Sequence, residues 1–239
     1  MKVLKVLMGA ALLVLWLLPG GLLVVSGRND LAVSVWSAIG LWALGVKTEL
    51  RGESPGAGLV AANHASYLDI FVLGRHLPGF FIAKHEIAGW PLIGLSARVA
   101  GVLFIERDRA KRASGGVEAV TARLNEGGRV LLFPEGGIPA RLDEPGPFRP
   151  MFFEAAIRSG AAVHPVRIDY RCRDGQSAWA WTDGAGLFEH LVKNLLPAGR
   201  ITAVVTAGKP LKTGPGTDRK TLAESCRRAI IDLESAETP

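Results

Sequence analysis

The 239 residues are 49% hydrophobic and 21% charged, with a mean hydropathy of +0.25, which excludes a disordered chain and points to one compact domain with a membrane contribution. Lysine and arginine number 28 against 22 acidic residues, a formal net charge of +6, so phosphates, anionic lipid or nucleic acid are the partners that charge favours. With only Cys172 and Cys226, a disulfide framework, a paired-thiol redox motif and a cysteine-based zinc site are excluded.

The apolar excess opens the chain. Val6 to Leu18 carries no charge, pauses at Pro19-Gly20-Gly21 and resumes to Val25; a second uncharged stretch, Leu31 to Val46, follows Gly27-Arg28-Asn29-Asp30. Each is short against the roughly 20 apolar residues of a spanning helix. The preferred reading is a two-helix membrane anchor over residues 1–46, spanning or dipping into one leaflet, with Lys2, Lys5, Lys47 and Arg51 keeping its outer ends cytoplasmic. Two alternatives stand beside it. A signal peptide would want a small-x-small cleavage site, and none is clear; a buried core helix would accommodate Trp16, Trp36 and Trp42 as well as a membrane interface does.

Residues 47–239 read as a single α/β domain, since short β-rich runs alternate with helical stretches. Strands are predicted at Leu59–Ala62, Phe80–Ala83, Val102–Ile105, Val130–Phe133, Ala162–Tyr170 and Ile201–Thr206. Helices are predicted at Ala110–Asn125, Phe152–Ser159 and about Asp218–Ser235, the last placing Leu222, Cys226, Ile230 and Leu233 on one face, so that Cys226 is a core residue.

Three segments can carry chemistry, each against a predicted strand. Asn63-His64-Ala65-Ser66-Tyr67-Leu68-Asp69 follows the first strand; a histidine at such a turn suits general-base work, and a carboxylate one turn away fixes its tautomer and stabilises the imidazolium. Gly101-Val102-Leu103-Phe104-Ile105-Glu106-Arg107 ends a strand on an arginine, whose planar fork matches a phosphate. Phe133-Pro134-Glu135-Gly136-Gly137 ends another on a forced turn that presents a carboxylate and backbone N–H groups. Taken singly, each is as readily a surface feature.

In this order the motifs resemble those of the glycerolipid acyltransferases, and more narrowly the bacterial 1-acyl-sn-glycerol-3-phosphate acyltransferases, with Val163-His164-Pro165-Val166 as a fourth motif. The resemblance covers about residues 47–210 and implies a mixed, mainly parallel sheet flanked by helices behind a two-helix anchor. It also implies that His64 and Asp69 are the catalytic pair. Arg107, with Lys84 as second candidate, would bind the acceptor phosphate, and Glu135 and Gly136 would position the acceptor. Asn63 or a neighbouring backbone N–H would face the oxyanion. There are departures: Gly137 stands where the family usually has threonine or serine, and Phe148-Arg149-Pro150-Met151 lacks the glycine of the usual downstream motif. Ala178-Trp179-Ala180-Trp181 and His190-Leu191 resemble a subgroup that acts on lyso-ornithine lipid.

The implied reaction is attack of an acceptor hydroxyl, deprotonated by His64, on the carbonyl of an acyl thioester carried by coenzyme A or acyl carrier protein. No bound cofactor or metal is needed. The acceptor would be the sn-2 hydroxyl of 1-acyl-sn-glycerol-3-phosphate, giving phosphatidic acid, or another lyso-lipid. The enzyme would sit on the cell inner membrane with its catalytic domain in the cytoplasm. A different class, a hydrolase or transacylase with Ser66 as nucleophile, lacks the Gly-x-Ser-x-Gly turn. Nucleic-acid binding is disfavoured, since aromatics are 7% of the chain and do not interleave with basic residues. His85, His164 and His190 have no partners at metal-ligand spacing and read as satisfied surface or strand-end histidines. Trp179 and Trp181 read as packing or interfacial residues, and Asp143-Glu144 as a solvated loop.

Overall fold

The computed structural model describes residues 2–90, 93–99, 101–105, 110–139, 142, 144–172, 177–181 and 186–235. Three helices come first: α1 (Lys2–Leu15), α2 (Leu17–Val25) and α3 (Asn29–Leu44). Where the sequence suggests one helix through residue 18, α1 and α2 meet at a bend of 42°. Pro19 explains it. A proline cannot donate to the carbonyl four residues back and its ring crowds that group, which here belongs to Leu15, the last residue of α1. No single described helix is long and apolar enough to cross a membrane; α1 and α2 together match a bent span in length and composition.

The third helix is bound to the core. Val33 and Leu41 join the same cluster as Val72 and Leu73 of α4 (Leu68–His76), and Trp36 stacks on Phe71 at 4.5 Å. Small residues set the approach: a Cβ on Gly40 would lie 2.4 Å from the Phe71 ring, and one on Gly74 2.3 Å from Ser37 Oγ. Gly45, at φ 69°, ends α3 in the left-handed conformation and turns the chain into the sheet.

Seven strands follow: β1 (Val46–Arg51), β2 (Gly58–Ala62), β3 (Phe80–Lys84), β4 (Leu103–Ile105), β5 (Arg129–Leu132), β6 (Val163–Cys172) and β7 (Ile201–Ala207). They form one sheet in the order β1-β7-β6-β2-β5-β3-β4, parallel throughout except between β6 and β7. The expected mixed α/β architecture with a mainly parallel sheet is therefore present. β2, near the centre, is buried on both faces, as a strand between two helical layers requires. Val60 and Ala62 face the α3 and α4 side, while Leu59 and Ala61 face the layer of α6 (Ala110–Asn125), α7 (Phe153–Ser159) and α9 (Arg219–Ser235). The remaining helices are α5 (Ile93–Val99) and the short α8 (Leu187–His190), which continues as a π-turn to Leu195.

The register positions the site. Ala62, the last residue of β2, pairs with Val166, whereas β6 runs six residues further to Cys172. That overhang faces the segment leaving β2, at the carboxyl ends of the parallel strands, where open α/β sheets bind ligands.

Cys226 is fully buried on the inner face of α9, as its helical spacing predicts, and burial pushes its thiol up to about 12. Cys172 is partly exposed. A maleimide should label Cys172 in the native protein and reach Cys226 only after denaturant is added; native labelling at both would contradict this packing.

Candidate active site

The chain leaves β2 through Asn63 to Tyr67 and enters α4, which places Asp69 in the first helical turn, where the positive end of the helix favours a carboxylate. Asp69 is fully buried. Its Oδ2 accepts from the Ala65 and Ser66 N–H groups at 2.7 and 3.0 Å and from His64 Nδ1 at 2.8 Å; its Oδ1 accepts from the Tyr170 hydroxyl at 2.5 Å. A carboxylate held by N–H and O–H donors can only accept, so the His64 proton sits on Nδ1. Nε2 is then the nitrogen left with a lone pair. The His64 ring stacks on Phe133 at 4.1 Å and borders a cavity of about 180 Å³.

Tyr170 belongs to the β6 overhang. Burial and the neighbouring Asp69 carboxylate hold its phenol well above the usual range, so it stays a neutral donor. Its ring stacks on Trp179 at 4.7 Å. On the same overhang, the Ile168 backbone exchanges two hydrogen bonds with the Asn63 amide: Nδ2 donates to Ile168 O at 2.9 Å, and Ile168 N donates to Asn63 Oδ1 at 2.8 Å. Asn63 thus ties the loop to β6.

Glu135 is not a solvated loop residue. Its Oε1 accepts from the His64 N–H and its Oε2 from the Gly146 N–H, both at 2.8 Å. Burial pushes its carboxyl up, opposed by these two N–H donors. Gly136, at φ 80°, makes the turn that returns its N–H to Phe133 O. The loop is closed further by Arg149 N donating to Pro134 O, and by Arg227 of α9, whose Nε donates to the carbonyls of Pro145 and Gly146.

Ser66 is fully buried, and its Oγ accepts from the Leu68 N–H at the start of α4. The Leu68 N–H reaching back two residues to this hydroxyl closes a local turn just ahead of α4, whose N-cap is Tyr67. Lys84 stands exposed at the end of β3, outside the cavity lining; Arg107 and Asp143 lie outside the described residues. Among the described residues no group of three or more histidine, cysteine, aspartate or glutamate side chains is placed to hold a metal ion.

The sequence does not single out Tyr170, Arg167, Asp169 or Tyr67 as site residues. The first three sit on one strand, and its overhang is visible only in register. Arg167 Nε donates to both Asp169 oxygens at 2.9 and 3.0 Å, and both residues line the cavity. Behind the motif, His190 is fully buried: its Nε2 meets the Ala180 carbonyl at 2.8 Å and its Nδ1 the Tyr67 hydroxyl at 3.3 Å. A carbonyl only accepts, so Nε2 carries a proton, and Nδ1 shares its hydrogen bond with the Tyr67 hydroxyl. Trp181 lies edge-on to Tyr67 at 5.5 Å. The segment expected to be packing or interfacial is thus packed directly behind the histidine loop. His164 bonds the Ala57 carbonyl at 3.2 Å and His85 is exposed, both as strand-end and surface residues.

A family model described as Acyltransferase matches residues 46–169. The lyso-ornithine lipid O-acyltransferase of Rhodobacter capsulatus is 32% identical over 194 residues, covering 78% of this chain and 70% of that protein. The protein of the same name from Pseudomonas aeruginosa is 34% identical over 204 residues, 82% of this chain and 75% of its own. The 1-acyl-sn-glycerol-3-phosphate acyltransferase of Neisseria gonorrhoeae is 39% identical over 124 residues, 52% of this chain and 48% of that protein. The crystal structure of the 1-acyl-sn-glycerophosphate acyltransferase of Thermotoga maritima superimposes with a TM-score of 0.67 at 18% identity, covering all of this chain and 98% of that one, and shows the shared fold.

Two substitutions separate the parts of this network. Asp69→Asn places an amide against four donors and favours the other His64 tautomer, so kcat should fall on the order of a hundredfold or more. Tyr170→Phe leaves the carboxylate in place without its hydroxyl donor, and kcat/KM should fall about tenfold. A Tyr170→Phe kcat/KM equal to that of wild type would show that the hydroxyl only fills space.

Proposed function

Because the chain belongs to the acyltransferase family, we propose that it moves a fatty acyl group from an acyl thioester to the free hydroxyl of a lyso-lipid at the membrane surface. The observation that carries this is the His64 ring on the cavity wall, with Nδ1 fixed 2.8 Å from a fully buried Asp69. The acceptor hydroxyl gives its proton to His64 Nε2 as its oxygen attacks the thioester carbonyl. The resulting imidazolium is stabilised by Asp69, and its proton returns to the departing thiolate. A thioester is already activated, so attack is direct and needs no acyl-enzyme. Burial of Ser66 under the start of α4 supports that route. The donor is acyl-CoA or acyl carrier protein, and no bound cofactor takes part.

Two acceptors fit the family. The motif resemblance favours the sn-2 hydroxyl of 1-acyl-sn-glycerol-3-phosphate, with phosphatidic acid as product and Arg107 and Lys84 toward its phosphate. The second reading, lyso-ornithine lipid, is favoured by a specific observation: relatives of that name match over about four-fifths of this chain, well past the segment shared with the Neisseria protein. That longer match accompanies the residues Trp179, Trp181 and His190 packed around the histidine loop.

The apolar side chains that α1 and α2 turn outward, among them Leu4, Leu7, Leu15, Leu18, Leu22 and Val25, suit burial in one leaflet of the inner membrane. The catalytic domain then faces the cytoplasm, and a lyso-lipid enters sideways from the bilayer.

Purified protein in detergent should release thiol from acyl-CoA only when lysophosphatidic acid or lyso-ornithine lipid is added. His64→Ala should reduce that release by about 10²–10⁴-fold. Equal release in the mutant would remove His64 from the chemistry, and an acyl-serine adduct on Ser66 would overturn direct attack.

A further inference from the structure

The large apolar side chains left exposed in this molecule are segregated. Apart from those that α1 and α2 turn outward, they are Leu31 and Trp42 of α3, Trp90 just before α5, Leu95 within it, and Phe188 and Val192 along α8 and its π-turn. Among the described residues none lies on α6, α7 or α9, and α9 shows water Arg219, Lys220, Glu224 and Arg228 instead. An exposed apolar surface confined to one part of a protein marks an interaction face. α3 packs on α1 and α2, and α5 packs on α2, so those two helices extend the surface of the anchor. α8 is a separate outpost of it.

The two sides of α8 are unlike. Inward, His190 and Leu195 are buried, and Leu191 and Leu195 join the cluster that holds Val33 and Leu41 of α3, which sets α8 on the same side of the sheet as α3. His190 also bonds the Tyr67 hydroxyl and the Ala180 carbonyl, so this helix is tied to the histidine loop. Outward, Phe188 is 78% exposed and Val192, four residues on and on the same helical face, is 44% exposed. Beside them Lys193 Nζ pairs with Glu189 at 2.7 Å, and both side chains stand in water. A stable protein partner needs about 800 Å² from each side, more than a phenylalanine and a valine between charged neighbours supply. A bilayer sets no such minimum. Single aromatic and aliphatic side chains enter the boundary between headgroups and acyl chains, and a lysine next to them keeps its ammonium at the headgroups.

We infer that α8 is a second membrane contact, with Phe188 and Val192 entering the same leaflet as α1 and α2. The inference rests on the membrane-surface reading proposed above and adds to it. Two separated contacts on one side of the sheet fix the tilt of the domain, which one contact leaves free. Because His190 joins α8 to Tyr67, the second contact also holds the histidine loop at a set height above the bilayer, where the hydroxyl of a lyso-lipid lies.

The test uses the full chain with Cys172→Ser, which leaves only the buried Cys226, and adds one cysteine at a time: Phe188→Cys, Val192→Cys, Leu7→Cys on α1 or Arg228→Cys on α9. Each variant is labelled in detergent with a nitrobenzoxadiazole maleimide and reconstituted into vesicles of phosphatidylethanolamine and phosphatidylglycerol. Emission is then read with and without a phospholipid bearing a doxyl quencher on its acyl chain. The Phe188→Cys and Val192→Cys labels should shift to the blue and lose emission to the quencher as the Leu7→Cys label does, while the Arg228→Cys label keeps the spectrum it has in water. Phe188→Cys and Val192→Cys labels that behave like the Arg228→Cys label would overturn the contact at α8 and leave the anchor at α1 and α2 standing. A blue shift without quenching would also overturn it, because protein rather than lipid would then cover the patch. If the Leu7→Cys label escapes quenching as well, the membrane-surface reading itself fails, and the second contact with it.

Discussion

One buried carboxylate organises the histidine loop of this molecule. Asp69 sits in the first turn of α4 with no exposed surface, and a charge so placed is tolerated only if its oxygens are fully satisfied. Four donors do this: two backbone N–H groups of its own loop, the imidazole of His64 and the phenol of Tyr170. Each donor is thereby fixed in turn. The loop closes into one shape, the histidine is held in one tautomer, and β6 is bound to β2 beyond the point where their ladder ends.

Around that centre the framework is built largely from hydrogen bonds between buried side chains and the backbone. Glu135 bridges the histidine loop to Gly146, Asn63 joins it to Ile168, and Arg227 fastens the far side to α9. Side chains pinned to backbone groups of neighbouring segments hold the loop in one shape, the pre-organisation that the proposed base at His64 requires. α3 extends the same logic to the apolar helices at the start of the chain. Its Trp36 and its small residues lock onto α4, so that helix and the turn carrying His64 form one packed unit.

Much of this was legible in the residues themselves. Six strands stand where continuous apolar runs predict them, because a sheet covered on both faces selects runs such as Val130-Leu131-Leu132, and α6 spans its expected residues. β1 is missing from the predicted strands for the converse reason: Val-Lys-Thr-Glu-Leu-Arg at the sheet edge carries charges and offers no continuous apolar run. His64 and Asp69 are readable because both lie in one turn of chain. Tyr170 lies 101 residues from the carboxylate it serves, and nothing local marks it; only the register of β6 against β2 brings it there. Glu135 looked like a surface acid since its partners are backbone N–H groups, which leave no side-chain signature. Pro19 announced a break, and the structure turns that break into a third helix.

Asp69 holds the His64 proton on Nδ1 and leaves Nε2 free to accept one. Nitrogen-15 NMR of the histidine side chains in detergent micelles reads this directly. His64, assigned by its loss in His64→Ala, should show a protonated Nδ1 and an unprotonated Nε2, and Asp69→Asn should reverse or mix the two. A protonated Nε2 in the wild-type protein, or a spectrum indifferent to Asp69→Asn, would contradict the claim.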